Sequence, residues 1–195
     1  MYSVDELKDI LKIRLSKKRY VHSLNVAKTA EELALRYGYD AEKCLLAGLV
    51  HDICKELPKD EQLEMVKKSS RDICPEELRT PPLYHAPAGS WYCENVLGIH
   101  DEDILNAVRY HTIGRKDMSD IEKAVFLADV ISEDRSYHNV EKMRKLAFED
   151  IDSAVFETLA FCIADVAEKH SGLPVHTVEA YNSYAAAEAK VPLNK

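Results

Sequence analysis

Seven side chains in this 195-residue sequence stand where the surrounding pattern gives them no ordinary role. His51-Asp52 closes the apolar run Cys44-Leu-Leu-Ala-Gly-Leu-Val50, and Lys55 follows three residues later. His22 lies beside an apolar stripe, His85 opens a helical stretch, His111 ends one, and Asp129 interrupts Ala124-Val-Phe-Leu-Ala-Asp-Val-Ile131. Burying an imidazole, a carboxylate or an ammonium is costly unless the group is paired or bound to a metal. Four imidazoles and two carboxylates make a mixed nitrogen and oxygen donor set. Such a set suits iron, manganese or zinc better than magnesium or calcium, which take oxygen shells.

Taken singly, each of these residues has a plainer use. A lone His near an apolar face is usually a satisfied core or rim residue. A buried Asp is more often a cap or an ion-pair partner. A Lys just after a helix is usually solvated or faces the helix dipole. A His-Asp dipeptide also arises by chance, and the chain holds a second one, His100-Asp101. That pair follows Gly98 and precedes Glu102 and Asp103, so Asp101 reads as an N-cap with an acidic first turn. His138 and His170 lie in polar contexts and are left as surface residues. The joint occurrence of the other groups is what points to a metal centre.

The elements that must position them are helical, since apolar residues recur at three- and four-residue steps and no stretch alternates like a strand. Ser3-Val-Asp-Glu6 is a capping box that opens a first helix toward Leu15. A second helix is predicted from about Lys18 to Tyr37, stopped by Gly38, with Val21, Leu24, Ala27, Ala30 and Ala34 on its inner face. Asp40 caps a third, Ala41–Ile53, whose apolar surface nearly all round places it at the centre of the fold. A polar helix follows over Asp60–Ser69, and the proline-bearing stretch Ser70–Pro82 reads as mostly loop. Another helix starts near Leu83, with Pro87 tolerable in its first turn, and runs to about Val96. Glu102–His111 is next. A second capping box, Ser119-Asp-Ile-Glu122, precedes the helix Ile121–Ile131. After the irregular stretch Ser132–Asn139, helices are expected over Val140–Ala147, Ile151–Ser171 and Thr177–Ala189, with Val191–Lys195 as a tail. The expectation is one all-α domain over residues 1–195, core about 18–190, with the site between central helices.

Composition narrows the function classes. A net charge of −8 does not suggest binding to nucleic acid or to a membrane surface. An anionic substrate would then need local positive charge, which metal ions supply. The five cysteines form no Cys-x-x-Cys pair, and their odd number favours reduced thiols. No signal peptide or membrane-length apolar run is visible. A cytoplasmic protein fits these features.

The pattern His22, His51-Asp52 and Asp129 resembles the HD superfamily of metal-dependent phosphohydrolases. The likeness extends to Arg19-Tyr-Val-His-Ser23, His51-Asp-Ile-Cys-Lys55, Tyr84-His-Ala-Pro-Ala-Gly89, Tyr110-His-Thr-Ile-Gly114, Leu127-Ala-Asp-Val-Ile131 with Arg135, and Thr177-Val-Glu-Ala-Tyr-Asn182. Over roughly Val21 to Asn182 the chain is similar to the bacterial YqeK-type family, described as symmetrical diadenosine tetraphosphate hydrolases that release two ADP and bind iron. The resemblance implies a helical HD-domain fold and one or two iron ions, with manganese or another divalent metal as the alternative. It makes His22, His51, Asp52 and Asp129 ligands of the principal ion. His85 and His111 would either complete a second metal site with Asp52 bridging or touch the phosphates. Arg19, Lys55, Thr112 and Arg135 would hold phosphates, Thr177 belongs to the nucleotide-contacting C-terminal segment, and Asp52, Lys55, His85 and His111 would be the catalytic groups. The expected partner is the nucleotide alone. Oligomeric state is open, a homodimer included.

Two departures from that family stand out. Ser132-Glu133-Asp134 replaces its usual Glu-Pro-Asn and adds an acid beside Arg135. Val175-His176 replaces its usual Pro and acidic residue before the C-terminal threonine. Two further readings of the same residues are another HD-type nucleotide phosphatase or phosphodiesterase, and a nucleotide-binding sensor with an inert site.

Overall fold

Two helices at the centre of the molecule approach so closely that a methyl group on Gly48 would lie 2.9 Å from Cα of Ala27. They are α2 (Lys17–Tyr37) and α3 (Ala41–Val50) in a computed structural model that describes residues 2–188. The contact is possible because α2 turns Ala27, Ala30 and Ala34 toward α3, and because α3 offers hydrogen where other residues carry a side chain. Local chemistry sets the ends of both helices. Ser16 accepts from the Arg19 N–H, Gly38 takes the left-handed conformation at φ 75° that glycine adopts without strain, and Asp40 accepts from the Lys43 N–H.

The other helices are built around this pair. Helix α1 (Val4–Arg14) starts from the expected capping box at Ser3 and buries Leu7 and Leu11. Helix α4 (Lys59–Lys68) lies against α6 (His85–Asn95), and α6 packs on α7 (Glu102–Tyr110). Helix α8 (Asp120–Ile131) packs on α2, α3 and α7, and α9 (Val140–Glu149), α10 (Ile151–Glu168) and α11 (Val175–Glu188) complete the fold. A single apolar core runs through these helices, from Leu7 and Leu11 through Leu49 and Val50 to Phe126, Leu127 and Leu159. Each large aliphatic side chain buried there contributes about 1.5–3 kcal/mol relative to exposure. Among the described residues there is no strand, and no helix is long and apolar enough to cross a membrane. Asp101 caps α7 as the sequence predicts, accepting from the N–H groups of Asp103 and Ile104.

The structure corrects three readings. Val21 is not on the inner face of α2: it is 41% exposed, and the buried face carries His22, Ser23, Val26 and Leu33 with the alanines. The run of small residues at 27, 30 and 34 left the helix phase ambiguous by one position, and packing against α3 settles it. Helix α3 ends at Val50 rather than Ile53. His51–Glu56 continues as tight turns, with Ile53 N–H bonded to the Val50 carbonyl and Lys55 N–H to that of Asp52. The buried Gln62 amide of α4 holds that turn by donating to the Lys55 and Leu57 carbonyls. The stretch 70–82 is mostly loop, as expected, with α5 (Pro75–Leu78) and the start of a 3₁₀ turn (Pro81–Leu83) set in it. The long helix α10 stops at Glu168, short of the predicted Ser171. The end of the last predicted helix at Ala189 and the Val191–Lys195 tail lie outside the described residues.

Candidate metal centre

Four imidazoles meet at the junction of α2, α3, α6, α7 and α8, and all are buried: His22, His51, His85 and His111. Neighbouring ring centroids are 5.3 Å apart for His22 and His51, 4.9 Å for His51 and His111, and 5.1 Å for His85 and His111. In every one of them Nδ1 is already engaged. His51 donates to the Gly48 carbonyl at 2.7 Å, His85 to that of Pro82 at 2.8 Å, and His111 to that of Val108 at 2.7 Å. Each of these three uses the carbonyl three residues earlier. His22, in the second turn of α2, where the carbonyls serve the helix's own N–H groups, donates instead to the Asp134 carboxylate at 2.8 Å.

A neutral imidazole that donates through Nδ1 presents a lone pair at Nε2. All four lone pairs therefore face inward, toward two carboxylates. His22 Nε2 is 2.9 Å from Asp129 Oδ1, and His51 Nε2 is 3.4 Å from Asp52 Oδ2 and 3.9 Å from Asp129 Oδ1. On the other side Asp52 Oδ1 is 3.2 Å from His85 Nε2 and 3.6 Å from His111 Nε2, and these two nitrogens are 3.2 Å apart. Lone pairs set against carboxylate oxygens repel unless a cation or protons lie between them. His51 Nε2 and Asp52 Oδ1 are buried with no hydrogen-bond partner. Buried polar atoms in native proteins are rarely left so. His22, His51 and Asp129 offer donor atoms within 4.8 Å of one another, and so do His51, Asp52 and His111. The residues present fit a divalent cation.

The charges of the site keep both carboxylates ionised and His85 and His111 neutral, while burial at His51 is outweighed by Asp52 and Asp129, which raise it toward the protonated form that a cation would displace. Burial opposes ionisation of Asp52, but the facing imidazoles of His51, His111 and His85 outweigh it and hold the carboxyl well below the usual range. Burial likewise opposes ionisation of Asp129, and His22, His51 and Arg135 together hold it ionised. Burial keeps His85 well below the ordinary histidine value, helped by the nearby Lys55 and His111, and it lowers His111 too. Ionised carboxylates and neutral imidazoles are the forms that ligate metals.

Cationic side chains ring the centre. Arg19 Nη1 lies 2.6 Å from Asp52 Oδ2. Arg135 donates through Nε to the Asp129 carbonyl at 2.6 Å and through Nη2 to the Asp129 carboxylate. The Lys55 ammonium lies 3.0 Å from His85 Nε2, and burial pushes its pKa below the usual lysine value. Of the predicted phosphate and nucleotide contacts, Thr112 is half-buried beside His111, and its hydroxyl has no partner. Thr177 is buried, and its hydroxyl donates to the Ile113 carbonyl at 2.8 Å, tying α11 to the turn that follows His111.

Sequence reasoning missed the groups that aim the ligands. Asp134 accepts from His22 and also from the Asn25 side chain at 3.0 Å, so the added acid faces His22. Arg144 of α9 holds the loop that carries Asp134 and Arg135, donating to the carbonyls of Ile131, Ser132 and Arg135. One signal was available: His51 and His111 each stand immediately after a helix, where an Nδ1 bond to the carbonyl three residues back is within reach.

An all-helical fold with this His and Asp centre defines the class of metal-dependent HD hydrolases. The HD domain family model matches residues 19–134, and the chain belongs to that family. It is 36% identical over 174 residues to a symmetrical bis(5'-nucleosyl)-tetraphosphatase of Bacillus subtilis, covering 88% of this chain and 92% of that one. It is 37% identical over 175 residues to the protein of the same description from Halalkalibacterium halodurans, covering 89% and 92%. A solved structure from Clostridium acetobutylicum, described as a "predicted HD superfamily hydrolase involved in NAD metabolism", superposes with a TM-score of 0.91 at 39% identity. That superposition covers 96% of this chain and 99% of that one.

Proposed function

We propose that the chain hydrolyses diadenosine tetraphosphate symmetrically to two ADP, using iron at the His and Asp centre. The observation that carries the metal part is the common orientation of the imidazoles, each with Nδ1 tied down and Nε2 turned to Asp52 and Asp129. Substrate and cleavage position come from the relatives described as symmetrical tetraphosphatases, which align over nearly the whole chain. His22, His51, Asp52 and Asp129 would hold the principal ion. Asp52, with its two oxygens facing different imidazoles, would bridge to a second ion held with His85 and His111. Divalent ions in such a site lower the pKa of water and neutralise charge on phosphoryl oxygens.

The chain's own part is to bind and orient the polyphosphate. Arg19, Lys55 and Arg135 supply local positive charge beside the centre in a protein of net charge −8. Arg19 and Arg135 each already lie on a carboxylate of the centre, so the phosphates they hold come to rest beside those carboxylates. Lys55, on the turn after His51-Asp52, brings its ammonium to His85 and to the charge that develops on the phosphoryl group. Thr112 offers an unengaged hydroxyl next to His111. The five free cysteines accord with a reducing, cytoplasmic setting.

The deciding experiment is a product assay. Freshly purified, iron-reconstituted protein is incubated with diadenosine tetraphosphate and the nucleotides are resolved by ion exchange. ADP as the only product is expected. AMP with ATP would refute central cleavage, and no turnover, with phosphate released from mononucleotides instead, would refute the substrate.

A further inference from the structure

A second group of ligating side chains lies outside the His and Asp centre, where the start of α11 meets α5. Cys74, Glu77 and His176 bring a sulfur, a carboxylate oxygen and a ring nitrogen within 4.8 Å of one another. Cys74 and Glu77 are buried, and the His176 side chain is 11% exposed. His176 Nε2 is a buried atom with no hydrogen-bond partner. Burial and the Glu77 carboxylate push the Cys74 thiol up, against the backbone N–H groups of Glu77 and Val175 that point at its sulfur, so without a cation the sulfur keeps its proton. Asp72 Oδ2, on a side chain that is 77% exposed, lies 3.4 Å from His176 Nε2 and is the candidate for a fourth donor.

We propose that Cys74, Glu77 and His176, with Asp72, form a structural zinc site that clamps the start of α11 to the 72–77 segment. Thiolate, imidazole and carboxylate are zinc's ordinary ligands, and four protein donors with no open position mark a structural site. On binding, the Cys74 thiol gives its proton to solvent and the sulfur bonds to the metal.

The neighbouring Arg109 does not oppose this. Its guanidinium takes Glu77 Oε2 at 2.7 Å and the Asp72 carbonyl at 2.6 Å, which leaves Glu77 Oε1 for the metal. A divalent cation and Arg109 are together balanced by the thiolate and the two carboxylates. The clamp would bear on the catalytic wall, because Thr177, the next residue after His176, holds the Ile113 carbonyl close to His111. His176 is also one of the two places where the sequence departs from the family it resembles, so the site is a property of this chain.

The test is a cobalt(II) titration of the reduced, metal-stripped full-length protein. Sulfur-to-cobalt charge-transfer absorption requires thiolate coordination, and the His and Asp centre contains no cysteine. Wild-type protein saturated with cobalt is expected to show the band at a single equivalent per chain. Cys74→Ser should abolish it, and His176→Gln should weaken cobalt binding at this site about tenfold or more. Cobalt loading without a charge-transfer band would overturn the proposal, and so would a band that survives Cys74→Ser. Should the serine variant fail to fold, an unchanged cobalt affinity, read from the band across the titration of His176→Gln, would overturn it equally. The result is independent of the product assay, because the band reports sulfur ligation and not turnover.

Discussion

Asp134 holds His22 by Nδ1 at 2.8 Å, from a loop more than a hundred residues away in sequence, and so decides which nitrogen of His22 faces Asp129. His22 is the one imidazole of the centre that is not oriented by a backbone carbonyl. Replacing Asp134 by Ala should weaken metal binding about 10–100-fold, the usual cost of losing a group that orients a ligand imidazole. Asp134→Asn, whose side-chain oxygen can accept the same hydrogen, should restore most of the affinity. Metal titrations of both variants give the comparison, and equal affinities for Ala and Asn would remove Asp134 from this role.

Asp52 faces both halves of the centre. Asp52→Ala is expected to abolish metal binding and turnover together, because it removes the shared carboxylate and leaves buried imidazoles facing one another. His85→Ala, which touches one half only, should lower bound metal to about half the wild-type content with the fold intact. Metal analysis by mass spectrometry, read beside the product assay, tests this. Wild-type activity in metal-loaded Asp52→Ala protein would defeat the assignment.

Lys55 predicts a pH dependence. Burial lowers its pKa, against the pull of Asp52 and Asp129. An ammonium that must hold phosphate is lost as pH rises through that lowered value. The alkaline limb of kcat/KM should therefore begin below the ordinary lysine value of about 10.4. Lys55→Arg, permanently charged but poorer in fit, should lower kcat/KM and remove the limb. Lys55→Ala should keep the metal and lose substrate use. An unchanged alkaline limb in Lys55→Arg would assign the titration to another group.

Gly48 couples the packing of α2 and α3 to the site. A methyl group there meets backbone atoms of Ala27 and the Val26 carbonyl, at 2.9, 3.1 and 3.2 Å, and backbone cannot turn aside as a side chain can. Gly48→Ala should destabilise the protein by about 1–3 kcal/mol. It should also separate His22 on α2 from His51 after α3 and weaken metal binding. Chemical denaturation and a metal titration of the same sample measure both effects, and an affinity that stays at the wild-type value would uncouple them.

Asp101 caps α7 and accepts from Lys43 Nζ at 2.8 Å, joining α7 to α3. Its pKa is lowered: burial opposes the ionised form, and Lys43 with the N–H groups of Ile104 and Asp103 outweighs it. A depressed carboxyl pKa gives stability that is present above the unfolded value of about 3.9 and lost as pH falls through the folded one. Asp101→Asn keeps the cap and removes the charge. It should cost about 0.5–1 kcal/mol at pH 7, and the difference should vanish in strong acid. Denaturation midpoints across that range check it, and a penalty that persists at low pH would show it is not ionic.

Much of this was legible in the sequence. The capping boxes at Ser3 and Ser119, the glycine stop at Gly38 and the cap at Asp101 are local chemistry, and the structure shows each of them. So is the oddity of His51, Asp52 and Asp129 in apolar runs, because the cost of burying such groups does not depend on knowing the fold. Three things were not local. The phase of α2 among its small residues was settled only when α3 packed on it at Gly48. The end of α3 at Val50 depends on Gln62, a residue of another helix that holds the turn carrying Lys55. The tautomer of His22 depends on Asp134, which spacing cannot place within 2.8 Å of it. The sequence by itself thus determined which side chains could ligate a metal and which helices carry them. The tertiary structure decided which nitrogen of each imidazole faces inward, because that choice belongs to the partner on the opposite side of the ring.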